Sequence, residues 1–148
     1  DFKNGSTTIA QQEAAGLRAR AEGVVPPQDL TGERPNFVSD VTYAGSVTYL
    51  HELNSDMMLR FGTSYRYRSD YTTGQDNDRF TENDSYWIWN ASVALAAPDN
   101  SWSVELWGKN LTDEEVINIG FDTPLQTGSL SAYMEAPMTW GVTAMMQF

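Results

Sequence analysis

A period-two alternation of apolar and polar residues recurs in separate segments after residue 40 and constrains the fold more than any other feature. Sustained alternation of this kind is typical of a β-strand that has one apolar and one polar face. We predict five such strands, at residues 41–49, 57–68, 85–97, 101–109 and 138–148. The chain is therefore predicted to be all-β.

The connections between the predicted strands alternate in length. Short turns at 54–56 and 98–100 follow the first and third strands, whereas long polar segments at 69–84 and 110–137 follow the second and fourth. A soluble β-sandwich has no need to place its long loops at one end. An outer-membrane β-barrel does so, because its periplasmic turns are short and its extracellular loops are long. The connections favour an antiparallel transmembrane β-barrel segment with long extracellular loops.

Residues 1–40 show no sustained period and carry several Gly and Pro residues, so we predict another long loop there. The composition of 9–22 favours a short helix inside it, and Asp1-Phe2 is interpreted as the end of a sixth strand. The predicted organisation is an extracellular loop at 1–40, a hairpin at 41–68, an extracellular loop at 69–84, a hairpin at 85–109, an extracellular loop at 110–137 and the final strand at 138–148.

Charge and composition exclude several classes of function. The chain carries 9 Lys and Arg against 20 Asp and Glu, a net charge of −11. General nucleic-acid binding is excluded, because it needs cations to neutralise phosphates. The acidic excess lies in the three long loops, and the strands are neutral as a set. There is no Cys and a single His, His51, so we expect no enzyme, no cofactor and no metal site.

Two acidic segments carry oxygen atoms that a cation could use. The loop at 76–84 lacks the Gly and the closing Glu of an EF-hand, so we predict a solvated loop there. Asp113, Glu114 and Glu115 suit either a cation contact or the cap of a short helical turn, since acids favour a helix N-terminus.

The two faces of the predicted strands differ in chemistry. Aromatic residues lie near the strand ends of the apolar faces, as in the girdles of membrane barrels: Tyr43, Tyr49, Tyr65, Tyr67, Trp87, Trp89, Trp102 and Trp140. The opposite faces carry Arg60, Arg66, Arg68, Glu105 and Lys109. These charges suit a hydrated lumen, but they also suit a sheet that faces solvent. A soluble secreted β-sandwich that binds carbohydrate is therefore the alternative.

The last strand ends in an aromatic residue with alternate apolar residues before it. This pattern resembles the signal by which the barrel assembly machinery recognises outer-membrane proteins. The predicted signal consists of Trp140, Val142, Ala144, Met146 and Phe148. An ordinary amphipathic edge strand that happens to end in Phe would show the same pattern.

The sequence around that strand resembles the sequences of one protein family. LWGKNLTDEEV (106–116) is similar to the end of the penultimate strand of TonB-dependent outer-membrane receptors, and 121–148 to their last loop and last strand. Segments 29–40 and 64–71 resemble earlier loop and strand boundaries of that family. One departure is Met138, where the family usually has Arg, so no contact of that Arg is carried over.

The resemblance implies about five to six C-terminal strands of a 22-stranded barrel with a plugged lumen. It also implies a location in the outer membrane of a Gram-negative bacterium and the uptake of a scarce solute, driven by TonB. The implied partners are outer-membrane lipid and lipopolysaccharide, the rest of the barrel and its plug domain, TonB through the missing N-terminal part, the barrel assembly machinery and a small solute.

A candidate binding group follows from the strand directions. If Phe148 lies at the periplasmic rim, the second and fourth strands run outward. The lumen face near the extracellular mouth then carries Arg66, Arg68, Tyr86, Trp107 and Lys109. Cations beside aromatic rings suit an anionic or aromatic ligand such as a ferric siderophore or a sugar acid. Alternatively, the arginines pair with carboxylates of the plug domain or of the loops.

Overall fold

The computed structural model describes residues 32, 34–74, 79–123, 126 and 129–147. Two compact units make up the chain, and each is described by itself. The first, called the sheet unit, comprises Val41–Ser69, Ser85–Glu115 and Ala136–Phe148. The second, called the loop unit, comprises Asp1–Asp40, Asp70–Asp84 and Val116–Glu135.

Nearly all regular structure in the described residues is β-structure. In chain order the strands are β1 (Thr42–Asn54), β2 (Met57–Arg68), β3 (Tyr71–Thr72), β4 (Glu82–Asn83), β5 (Tyr86–Ala96), β6 (Trp102–Lys109), β7 (Ile117–Asp122), β8 (Leu130–Met134) and β9 (Thr139–Met146). A short 3₁₀ turn occupies Arg79–Thr81. Within the described ranges, no helix is long and apolar enough to cross a membrane. The all-β prediction is confirmed.

The sheet unit is one antiparallel sheet with strand order β1-β2-β5-β6-β9. The five predicted strands are all present in it. The main difference is at β1, which continues to Asn54, whereas the predicted strand ends at Tyr49. Leu50 interrupts the alternation of apolar and polar residues. The strand nevertheless continues because it pairs with β2, where Leu50 lies opposite Arg60 and Glu52 lies opposite Met58.

The two ends of the sheet differ in their connections. At one end, here called the turn end, Asn54 Oδ1 accepts the Asp56 N–H at 2.9 Å and closes the β1–β2 turn. At the same end, the β5–β6 turn places Asn100 at a φ of 58°. The backbone N–H of Ser101 donates to Asp99 Oδ1 and lowers the pKa of that carboxyl. At the other end, the loop end, the chain leaves the sheet for the segments of the loop unit.

Register gives the sheet one continuous apolar face, because alternate residues of every strand point to the same side. Its largest members are Tyr43, Val47, Tyr49, Leu59, Phe61, Tyr65, Tyr67, Trp87, Trp89, Val93, Leu95, Trp102, Val104, Leu106, Trp140, Val142 and Met146. Most of these side chains are exposed: Trp140 retains 73% of its surface and Val47 retains 64%. Within the described part of the chain, this face is therefore largely uncovered.

Aromatic rings gather on the apolar face towards the loop end. The ring centroids of Tyr43 and Tyr67 are 5.7 Å apart, and those of Tyr67 and Trp87 are 4.8 Å apart. Tyr65 lies over Gly45 on the neighbouring strand, where an added Cβ would come within 2.7 Å of the Tyr65 hydroxyl oxygen. Glycine at this position lets the tyrosine ring lie flat along the sheet. The aromatic cluster predicted near the strand ends is present on this face.

The loop unit contains two short hairpins, β3–β4 and β7–β8. Both lie inside segments predicted to be loops, since two to six residues per strand are too few to show an alternation. In the first hairpin, Thr81 O accepts the Thr73 N–H at 2.9 Å and the Thr73 hydroxyl at 2.7 Å. Thr73 and Thr81 are almost fully buried.

A buried asparagine joins the two hairpins of the loop unit. Asn83 Nδ2 donates to Ile117 O at 2.8 Å, and Ile117 N donates to Asn83 Oδ1 at 2.8 Å. The carboxamide thus pairs with the backbone as a neighbouring strand would. Arg34 adds exposed ion pairs, at 3.2 Å to Asp40 and 3.3 Å to Asp70, which contribute little because water screens them.

Several sequence predictions fall on residues that the structure does not describe. These are the helix at 9–22, the strand end at Asp1-Phe2, most of the loop at 1–40, residues 76–78 of the acidic loop and the terminal Phe148. They stay predictions.

Replacing Asn83 by Ala is expected to loosen the loop unit. The change leaves the N–H and C=O of Ile117 without their partner, at a cost of about 1–3 kcal/mol for each buried group left unpaired. Hydrogen exchange of the Ile117 N–H should accelerate. Asn118→Ala, which alters an exposed neighbour, is the control and should leave that rate unchanged. Unaltered protection in Asn83→Ala would show that the pairing contributes nothing.

Candidate functional site

The polar face of the sheet carries all five residues of the predicted binding group. Arg66 and Arg68 alternate with tyrosines on β2, and Arg68 lies opposite Tyr86 on β5. Trp107 and Lys109 lie on the matching face of β6, where Trp107 is opposite Ser92. The predicted assignment of these side chains to one face agrees with the strand register.

The first part of the group lies at the loop end of the sheet. The guanidinium carbon of Arg66 is 5.7 Å from the centroid of the Tyr86 ring, a cation–π distance. Tyr86 is only 5% exposed, and Arg66 and Arg68 are half-buried. This arrangement holds the Arg66 guanidinium beside a buried aromatic ring, and Arg68 occupies the strand position opposite Tyr86.

The second part lies on β6 and β9. Trp107 Nε1 donates to Thr143 Oγ1 at 3.0 Å, and the ring crosses Gly141, where an added Cβ would come within 2.6 Å of Trp107 Cζ2. The Lys109 ammonium is 5.5 Å from the centroid of the Trp107 ring. The tryptophan is therefore held in one orientation, with a cation beside it.

The two parts lie at different levels of the sheet. Arg66 is opposite Ile88, and Trp107 is opposite Ser92, four positions further along β5. At the rise of an antiparallel strand, four residues correspond to roughly 13 Å. The structure thus brings the predicted residues to one face but divides them into an Arg66–Arg68–Tyr86 group and a Trp107–Lys109 group.

An open cavity of about 490 Å³ lies over the middle of the polar face. Its lining includes Ser46, Ser64, Asn90, Glu105, Trp107 and Lys109. Small hydroxyl side chains leave the space, and the tryptophan, the lysine and the glutamate border it. Arg66, Arg68 and Tyr86 do not line this cavity, so only the second part of the predicted group faces it.

Sequence reasoning missed the residues that organise the end of β6. Asn110 is 5% exposed and adopts a φ of 50°, in the left-handed region that Asn tolerates better than most residues. Its backbone N–H donates to Asn90 Oδ1 at 2.9 Å, and Asn90 Nδ2 donates to Ser64 Oγ at 3.0 Å. Nothing in the segment LWGKNLTDEEV shows that this asparagine is buried or which backbone groups it binds, so no sequence signal was available.

The acidic residues after β6 have a structural contact. Asp113 accepts the Met138 N–H through Oδ1 at 2.9 Å. The sequence predicts either a cation contact or a helix cap for this residue. Glu114 and Glu115 do not begin a helical turn. In the described part of the chain, no three His, Asp or Glu side chains are grouped so that they could hold a metal ion.

His51 stacks on Tyr49, with ring centroids 6.2 Å apart.

The predicted assembly signal lies on the last strand. Trp140, Val142, Ala144 and Met146 all lie on the apolar face of β9 and are exposed. Phe148 lies outside the described residues. The alternation predicted for this strand is present up to Met146, and recognition by the assembly machinery stays a prediction.

Comparison with curated proteins and with solved structures gave no significant match. One protein family matches: its sequence model, described as TonB dependent receptor-like, beta-barrel, aligns with residues 5–111. The match ends before β7–β9, so the resemblance seen at 121–148 lies beyond it. The matched part is more than two thirds of the chain and includes four strands of the sheet. The chain therefore belongs to the β-barrel family of TonB-dependent receptors.

Proposed function

We propose that this chain forms part of the wall of an outer-membrane receptor that takes up a scarce solute with energy supplied through TonB. The family consists of outer-membrane receptors that act as transporters, not as enzymes. The observation that carries the proposal is the two-faced sheet, which has a continuous exposed apolar face and a polar face. Family membership also speaks against the alternative of a soluble carbohydrate-binding sandwich.

The two faces support one orientation in the membrane. The apolar face suits lipid, because large exposed apolar surfaces in a folded protein mark contact with a membrane or a partner. The polar face suits the lumen. Because the long connections leave the sheet at the loop end, we infer that this end is extracellular and that 1–40, 69–84 and 110–137 are external loops. The edge strands β1 and β9 each pair on one side only among the described residues, and the remaining strands of the barrel would pair the other sides.

Two neighbouring residues on β6 test this orientation. Leu106 is on the apolar face and Glu105 on the polar face. Leu106→Lys should impair assembly, because a lysine that faces lipid near the bilayer midplane costs about 2–4 kcal/mol. Glu105→Lys introduces the same side chain one residue away and should assemble normally.

The measurement is the fraction of receptor in the outer membrane that shows heat-dependent gel mobility. Equal assembly of the two variants would contradict the proposed orientation.

The proposed solute is anionic or aromatic, such as a ferric siderophore or a sugar acid. Support comes from the two places on the polar face where a cation lies beside an aromatic ring. Lys109 is exposed and Trp107 borders the open cavity, so this pair is the more accessible. Arg66 and Arg68 are half-buried, which also suits the alternative that they pair with carboxylates of the plug domain or of the loops.

A double substitution, Arg66→Gln with Arg68→Gln, tests the binding role. If both arginines contact the solute, the dissociation constant should rise about tenfold or more, since a hydrogen bond to a charged group contributes about 1.5–3 kcal/mol. The control is Arg60→Gln, on the same face of β2 but towards the turn end. The probes are an iron-labelled ferric catecholate, an iron-labelled ferric hydroxamate and a labelled oligogalacturonate.

Binding and uptake are measured on cells that carry the complete receptor. An uncoupler should abolish uptake and leave binding intact if TonB drives transport. Unchanged affinity in the double variant would assign the arginines to structural ion pairs.

A further inference from the structure

The five residues Asn110–Glu114, here called the clasp, form a compact turn directly after β6. Two of its residues have positive φ angles, 50° at Asn110 and 53° at Asp113. Asn110 O accepts the Asp113 N–H at 2.9 Å. The clasp is also tied to β5, because Leu111 N donates to Trp89 O at 2.8 Å and the Thr112 hydroxyl donates to Trp87 O at 2.6 Å.

The carboxamide of Asn110 joins two parts of the chain that are distant in sequence. Its Nδ2 donates to Glu114 O at 2.9 Å and to Ala136 O at 3.2 Å. Its Oδ1 accepts the Glu114 N–H at 3.0 Å. Glu114 lies just before the 116–135 segment and Ala136 just after it. One buried side chain therefore binds both ends of that long loop.

Asp113 strengthens the same junction from the other side. Its Oδ1 accepts the Met138 N–H at 2.9 Å, one residue before β9 begins. The clasp thus holds the chain where the loop leaves the sheet unit and where it returns. Met138 takes part through its backbone only, so the absence of the family's Arg at this position does not affect the contact.

We propose that Asn110 is a positioning residue for the 116–135 loop, and that its amide holds the two ends of the loop in the geometry that solute binding requires. The second half of this statement depends on the proposed function, which places the loop outside the cell. Asn110 itself is buried and contacts no solute. It acts by fixing the points from which the loop extends.

Asn100 provides a matched control. It also has a positive φ, 58°, and it also connects two strands, but at the turn end of the sheet. Its side chain is exposed and makes no hydrogen bond within the described part of the chain. An effect that comes only from replacing an asparagine of positive φ should appear at both positions. An effect that comes from loss of the clasp should appear only at Asn110.

The test compares Asn110→Asp with Asn100→Asp in the complete receptor. Aspartate tolerates the backbone conformation and keeps the oxygen that accepts from Glu114, but it cannot donate to Glu114 O or Ala136 O. Asn110→Gly removes the whole side chain, and glycine adopts the positive φ angle at this position without strain. The chain has no Cys. With any Cys elsewhere in the receptor replaced by Ser, a spin label is placed at Ala132→Cys in β8, and Ser55→Cys in the β1–β2 turn is the reference position.

In Asn110→Asp and Asn110→Gly, the label at 132 should lose its immobilised spectral component while the label at 55 is unchanged. Asn100→Asp should alter neither label. An unchanged spectrum at 132, or an equal change at 55, would overturn the proposal, because it would show no effect on the loop or only a general loss of stability.

The solute half of the proposal is measured by concentration-dependent uptake of the same three labelled probes. The probe concentration that gives half-maximal uptake should rise in Asn110→Asp, while the maximal uptake per folded receptor stays the same. If the label at 132 becomes mobile but the probe concentration at half-maximal uptake is unchanged, the role of Asn110 in solute binding is refuted. If the unmodified receptor takes up none of the probes, the proposed function fails, and the spin label still decides whether Asn110 holds the loop.

Discussion

Antiparallel pairing in a single register is the constraint on which the rest of the structure depends. Because side chains alternate along a strand, a slip of one residue would move every side chain of that strand to the other face. In the observed register, the tyrosines of β2 and the tryptophans of β5 meet on the apolar face, while Arg66, Arg68 and Tyr86 meet on the polar face. The division between an apolar surface and a polar surface is thus a property of the pairing. It holds although few side chains of the sheet are buried.

Asparagine carboxamides continue this pairing where the strands end. A carboxamide offers one acceptor and two donors, so it can satisfy backbone groups that have no strand partner. Asn83 does this for Ile117 in the loop unit, and Asn110 does it for Glu114 and Ala136 in the sheet unit. Both are nearly fully buried, where an unpaired backbone group is costly. Long connections can therefore leave a regular sheet at fixed points.

The candidate site shows how far sequence reasoning reaches. That Arg66, Arg68, Trp107 and Lys109 share a face follows from counting residues along each strand. The distance between the two groups does not, because it depends on how far β6 is staggered against β5, and no residue count contains that offset. The roles of Asn110 and Asp113 were also out of reach, since their partners Ala136 and Met138 are 25 or more residues away.

By itself, the sequence determined the five strands of the large sheet, their two faces, the alternation of short and long connections and the family. The strands, their faces and the connections depend on local periodicity and composition, which a strand carries within its own residues, whereas the family follows from a resemblance over most of the chain. Only the tertiary structure decided the stagger between strands, the short hairpins inside the long segments and the clasp after β6. These depend on hydrogen bonds between residues distant in the chain, and such bonds form only once the neighbouring strands are in place.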